Sequence, residues 1–260
     1  MARGRWRYVV PNAITCVGLA FAARSIQCSL DGEFRRAAWW AMACLLTDNI
    51  DGAFARALDA SSAFGAQLDS FTDFFSFGVA PVVLVYGFFH ATPSAGWTDG
   101  PRATLLPIIA FAYLACVAIR LSRFNTTREE PGARRMFVGW ASTYIGGMLA
   151  ATFALALRYG EPAWSAGDPG SDALRVFGDA RADGLMRALP WLLLPAAASM
   201  VSTLRMPRAS RTGRRWVDVL LFGSMTIGYG LGLTRQCPEY LVAGGLVYLA
   251  ISLRYHVVTR

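Results

Sequence analysis

Four aspartates sit where an apolar helix has no ordinary use for them: Asp48, Asp51, Asp69 and Asp73. An unpaired carboxylate at membrane depth costs about 2.5 to 3.5 kcal/mol even on a lenient insertion scale. Their spacing indicates what offsets that cost. Asp48 and Asp51 are three apart and Asp69 and Asp73 four apart, so each pair projects from one helix face. A short turn around residues 60–64 would make the two helices antiparallel neighbours and gather all four carboxylates. Like charges at that range do not all stay ionised without cations between them. Hard divalent ions with oxygen ligands, Mg²⁺ or Mn²⁺, are the natural partners. As acids alone, the same residues also suit structural polar groups paired with Arg56, or an ion path in a transporter.

The residues between the acids favour chemistry. Gly52 follows Asp51, Ala55 lies on the next turn and Gly65 opens the next helix, leaving room for a substrate to approach the backbone. Arg56 adds a planar, multi-donor cation suited to phosphate. Carboxylates, small residues and a guanidinium on one surface describe a metal-bridged phosphate site.

The elements that must hold this site are membrane helices. Over 260 residues, 55% are hydrophobic and only 16% charged, with a mean hydropathy of +0.38. That composition excludes an ordinary globular enzyme, a coiled coil and a disordered tail. Apolar windows fall near 10–29, 37–58, 66–90, 103–122, 138–158, 188–204, 216–234 and 239–256, predicting an all-α polytopic membrane protein of about eight transmembrane helices. The net charge of +8 comes from arginine alone, and the membrane accounts for it better than nucleic acid does. Placing both termini in the cytosol puts Arg3, Arg5, Arg7, Arg120, Arg123, Arg128, Arg134, Arg135 and the basic stretch 205–215 on that side. The acids of spans two and three then lie near the cytosolic face. Five scattered cysteines read as small buried hydrophobes, and Trp39, Trp40, Trp97, Trp140, Trp164, Trp191 and Trp216 mostly flank spans, as interfacial belt residues do.

Asp48, two residues, Asp51 and Gly52, two residues, Ala55 and Arg56, eight residues, Gly65, three residues, Asp69, three residues, Asp73: this order resembles, without a gap, the signature of the CDP-alcohol phosphotransferases. The resemblance implies a helical-bundle membrane enzyme that moves a phosphatidyl or related group from a CDP-linked donor to an alcohol and releases CMP. It implies a two-metal centre of Mg²⁺ or Mn²⁺ on Asp48, Asp51, Asp69 and Asp73, with Asp73 as base for the incoming hydroxyl. Gly52, Arg56, Ser62 and Gly65 match positions that contact the donor. Asn12 and Thr15, in the stretch PNAIT, resemble a further donor-binding segment, with helix capping after Pro11 as the alternative.

Beyond the signature, FFSFGVAP at 74–81 and AIRLSRFNT at 118–126 are similar to segments of the phosphatidylserine synthase branch. That implies CDP-diacylglycerol as donor and L-serine as acceptor, with inositol phosphate, glycerol phosphate or choline as the other acceptors to weigh. Arg120 and Arg123, three apart at a cytosolic helix end, are placed to hold a serine carboxylate or else to snorkel to lipid headgroups. FVGWASTYIGG at 137–147 departs from the branch, which has two prolines here, in a region expected to border the acceptor pocket. The resemblance covers residues 8–207, dividing the chain into a catalytic membrane domain at 1–207 and an accessory C-terminal transmembrane hairpin at 208–260. It also implies a homodimer in a bacterial or archaeal cell membrane, among membrane lipids, with the site facing the cytosol.

Overall fold

The computed structural model describes residues 6–60, 62–127, 137–161, 164, 181–203, 205–206 and 238–258. These residues fold as helices: α1 (Trp6–Leu30), α2 (Phe34–Ala57), α3 (Ala63–Asp73), α4 (Ala80–Ala91), α5 (Gly100–Thr127), α6 (Ser142–Arg158), α7 (Asp183–Val201) and α8 (Pro238–Val258). A wide π-helical turn, Phe74–Val79, joins α3 to α4 as one rod. A two-residue antiparallel pairing, Phe137 with Met206 and Val138 with Arg205, is the one strand contact among the described residues. Seven of the eight expected windows coincide with these helices, while 216–234 and most of the basic stretch 205–215 lie outside the described residues. Four segments are long and apolar enough to cross a bilayer on those grounds alone: Arg7–Leu30, Ala63–Ala91, Gly100–Thr126 and Asp183–Val201. Asp48, Asn49 and Asp51 dilute the apolar character of α2, and α6, at 17 residues, stands at the lower limit of a span.

Small residues set how closely the helices approach. A Cβ on Gly18 would fall 2.7 Å from the Thr47 hydroxyl, so this glycine lets α1 lie directly on α2. A Cβ on Gly146 would fall 2.6 Å from the Phe77 Cβ and 2.7 Å from its Cα, so α6 crosses the wide turn backbone to backbone. The Tyr113 hydroxyl of α5 donates to the Phe77 carbonyl at 2.9 Å, taking up an acceptor on that turn. The turn immediately after Asp73 is therefore held from two sides, by α5 and α6.

The main apolar core gathers around Phe88. Phe88 meets Phe34, Phe153 and Trp164 edge-on, with ring centroids 5.3, 5.4 and 5.8 Å apart. Trp97 is 2% exposed and donates its indole N–H to the Arg187 carbonyl at 3.1 Å. Trp39, Trp140 and Trp164 are buried as well, which corrects the expectation of interfacial belt residues: these rings pack between helices, and Trp191 remains exposed. Cys28 and Cys44 are buried as expected, whereas Cys16 lies on the outer face of α1.

The α2–α3 connection is a helix stop of defined geometry. The Ala60 N–H donates to the Ala55 carbonyl at 2.9 Å and the Asp59 N–H to Arg56, with Asp59 left-handed at φ 47°. Ser62 then caps α3, its hydroxyl accepting from the Gly65 N–H at 3.0 Å. Asp59→Gly is expected to fold with near-native stability and Asp59→Val to lose about 1–2 kcal/mol, because a β-branched side chain resists positive φ. Thermal unfolding in detergent reads the difference.

Candidate metal and phosphate site

The antiparallel placement of α2 and α3 brings the acids together. Asp48, Asp51 and Asp69 each present a carboxylate oxygen within 4.8 Å of the others. Asp73 stands one turn beyond Asp69, its carboxyl beside that of Asp48 and acting electrostatically on Asp48 and Asp69. All four expected acids thus occupy one site. Oxygens around a single Mg²⁺ at ~2.1 Å lie no more than ~4.2 Å apart. A 4.8 Å cluster with a fourth carboxylate beside it suits small rotamer adjustments about one ion, or two ions ~3.5–4 Å apart. The donor set is hard oxygen throughout, the chemistry of Mg²⁺ and Mn²⁺ rather than of zinc or copper.

Helix α1 supplies the support. The buried Thr15 hydroxyl lies 2.7 Å from Asp51 Oδ2 and donates to it, fixing that carboxylate's rotamer. In this structure Thr15 therefore meets an acid directly, at the place where a donor contact was expected. Asn12 belongs to a second group: a Cβ on Gly65 would stand 3.0 Å from both Asn12 Oδ1 and Ser62 Oγ. Asn12, Ser62 and Gly65 thus converge at the start of α3, and glycine is the residue that leaves them room. Gly52 does the same for Arg56, whose Nη1 would lie 3.2 Å from an added Cβ, so the guanidinium folds back over Gly52. Arg56 is exposed at the end of α2, just over one turn past Asp51.

The two arginines of α5 part company. Arg120 is only 8% exposed, donates to Ser142 Oγ at 2.7 Å and acts electrostatically on Asp73, Asp48 and Asp69. Arg123 instead donates to the carbonyls of Val201 at 3.1 Å and of Met200 and Ser202 at 3.3 Å, satisfying the C-terminal end of α7. Arg120 faces the acids, whereas Arg123 secures a helix end through these three carbonyls.

Five further residues border the site: Ser142, Ser70, Asn125, Thr72 and Ser76. Ser142 fixes Arg120 from α6. Ser70 Oγ lies 3.0 Å from Asn125 Oδ1, tying α3 to α5. Thr72 and Ser76 flank Asp73 with buried hydroxyls, and that of Thr72 has no hydrogen-bond partner among the described residues. Ser142 and Asn125 were visible only as members of quoted segments, since their partners are 22 and 55 residues away.

The CDP-alcohol phosphatidyltransferase family profile matches residues 8–204. Several relatives are named CDP-diacylglycerol–serine O-phosphatidyltransferase. The one from Mycobacterium tuberculosis is 28% identical over 169 residues, 64% of this chain and 56% of the relative. That from Mycobacterium leprae is 31% identical over 161 residues, 60% of this chain and 50% of the relative. That from Bacillus subtilis is 30% identical over 138 residues, 53% of this chain and 71% of the relative. The chain spans about half the length of the mycobacterial relatives it matches. With its apolar helices, its clustered acids and a family match over most of its length, this integral membrane protein belongs to the CDP-alcohol phosphatidyltransferase family.

Proposed function

We propose that the protein transfers a phosphatidyl group from CDP-diacylglycerol to the hydroxyl of L-serine and releases CMP. The convergence of Asp48, Asp51, Asp69 and Asp73 on adjoining turns of α2 and α3 carries the reading. Family membership and the names of the relatives support the substrate pair. The four aspartates would hold Mg²⁺ or Mn²⁺. Bound there, the metal supplies positive charge against the pyrophosphate oxygens and keeps the surrounding carboxylates ionised.

The chain's own residues do the rest. Arg56, folded over Gly52 at the open end of α2, grips a donor phosphate. Asn12, Ser62 and Gly65 form the wall against which the CDP group rests, and Thr15 holds Asp51 in its ligating rotamer. Asp73 takes the proton of the acceptor hydroxyl as its oxygen bonds to the lipid-side phosphorus. The bond from that phosphorus to the bridging oxygen breaks, and CMP leaves with the electron pair. Arg120, held by Ser142 beside Asp73, pairs with the acceptor's carboxylate and so directs its hydroxyl toward the base.

In this reading the site lies at the cytosolic ends of α2 and α3, where the charged nucleotide is available while the donor's acyl chains stay in the bilayer. Residues 1–207 form the catalytic unit and 208–260 an accessory one, and the enzyme works as a homodimer. The departure at 137–147 favours one second reading, the same transfer to inositol phosphate, glycerol phosphate or choline. CMP release from CDP-diacylglycerol by purified protein, measured across a panel of alcohols, separates the two: serine alone should stimulate it strongly.

Two variants test the roles. Asp73→Asn is expected to lower turnover by at least about 100-fold while weakening donor binding less, the signature of a lost base; wild-type turnover would remove Asp73 from that role. Arg120→Ala is expected to raise the serine KM about tenfold or more with the donor KM changed far less. An unchanged serine KM would assign Arg120 to structure.

A further inference from the structure

The accessory helix α8 has no part in the chemistry described so far, yet it packs along α6, the helix that carries Ser142. It does so at three levels. At one end, the Tyr159 hydroxyl donates to the buried Glu239 at 2.6 Å, and Arg158 Nε lies 3.5 Å from the same oxygen. Midway, Gly245 sits against the Met148 thioether, with no room for a Cβ. At the Ser142 end, the Tyr144 hydroxyl donates to the Gly245 carbonyl at 2.6 Å, while its ring lies 5.1 Å from Tyr248 and 5.2 Å from Trp140. On its other side α8 leaves Leu246 and Val247 exposed. The two helices run antiparallel, and α8 meets α6 at both ends of α6.

Trp140 and Tyr144 belong to the segment that departs from the serine-branch pattern. Trp140 is buried, and Tyr144 turns toward α8. Ser142, between them, turns toward Arg120. We infer that α8 positions the acceptor site: the tilted ring contacts of Tyr144 with Trp140 and Tyr248 and the Tyr144–Gly245 hydrogen bond fix the first turn of α6, and through Ser142 the guanidinium of Arg120. The unusual aromatics of this segment are the docking surface for α8, and Tyr144 and Tyr248 are positioning residues. The inference rests on the proposed role of Arg120 toward the acceptor.

The test uses the full chain in lipid nanodiscs. Tyr248→Ala removes the ring contact, Tyr144→Phe removes the hydrogen bond alone, and Tyr248→Phe preserves the ring. With CDP-diacylglycerol as donor, Tyr248→Ala is expected to raise the KM for the active alcohol about three- to tenfold. The donor KM and kcat should stay within about twofold, Tyr144→Phe should shift in the same direction but less, and Tyr248→Phe should match wild type. Equal changes in both KM values, or none in the acceptor KM, would overturn the inference. Should another alcohol prove active in place of serine, the KM split is read with that alcohol, so an error in the proposed acceptor remains distinct from an error here. Independently of turnover, the double variant Met148→Cys with Gly244→Cys should cross-link with a short bifunctional thiol reagent. Absence of that cross-link in folded protein would show that α8 does not dock on α6 and would equally overturn the inference.

Discussion

Carboxylates in a membrane protein are expensive, and here four of them face one another. Asp48, Asp51 and Asp69 bring oxygens within 4.8 Å, and Asp73 stands beside Asp48. Even lenient scales charge about 2.5–3.5 kcal/mol for each such group at depth, before mutual repulsion is counted. A fold that converges four acids onto one point is therefore organised around positive charge. One contribution is built in, since Arg120 is buried beside them and held by Ser142. A single guanidinium balances one carboxylate, and divalent cations are what the remaining oxygens fit.

The surrounding architecture follows from keeping that point rigid with little bulk. α2 and α3 are joined by a stop in which Asp59 accepts a left-handed conformation and Ser62 restarts the helix within three residues. α1 closes on α2 at Gly18 and contributes Thr15 to Asp51. α6 reaches the turn after Asp73 because Gly146 offers no side chain, and Tyr113 occupies a carbonyl of that turn. In a bilayer, where helices gain little by burying apolar surface against one another, close backbone approach and satisfied carbonyls are the available sources of stability. The glycines near the site thus serve both packing and access.

The acid quartet was legible in the sequence because helical periodicity turns three- and four-residue spacings into shared faces, whatever the surrounding fold. Helix positions were legible for the same reason: apolar windows of bilayer length coincide with α1, α2, the α3–α4 rod, α5, α6, α7 and α8. Distant partners were not. Arg120 and Arg123 look alike at a spacing of three, and their contacts differ only because the end of α7, nearly eighty residues on, meets one and not the other. The tryptophans beside span ends resembled a membrane belt, yet Trp97 and Trp164 are covered by helices whose packing no local pattern encodes. The wide turn after Asp73 was likewise hidden, since it depends on Tyr113 from α5 and Gly146 from α6.

The central claim, that these acids exist to cage divalent cations, is tested most directly by diffraction from crystals grown with Mn²⁺ and recorded at an energy where manganese scatters anomalously. The account predicts one or two strong anomalous peaks within ~2.0–2.3 Å of oxygens from Asp48, Asp51, Asp69 and Asp73, and their loss in an Asp48→Asn, Asp69→Asn double variant. Peaks elsewhere, or an acid cluster that stays free of manganese at millimolar concentration, would contradict it.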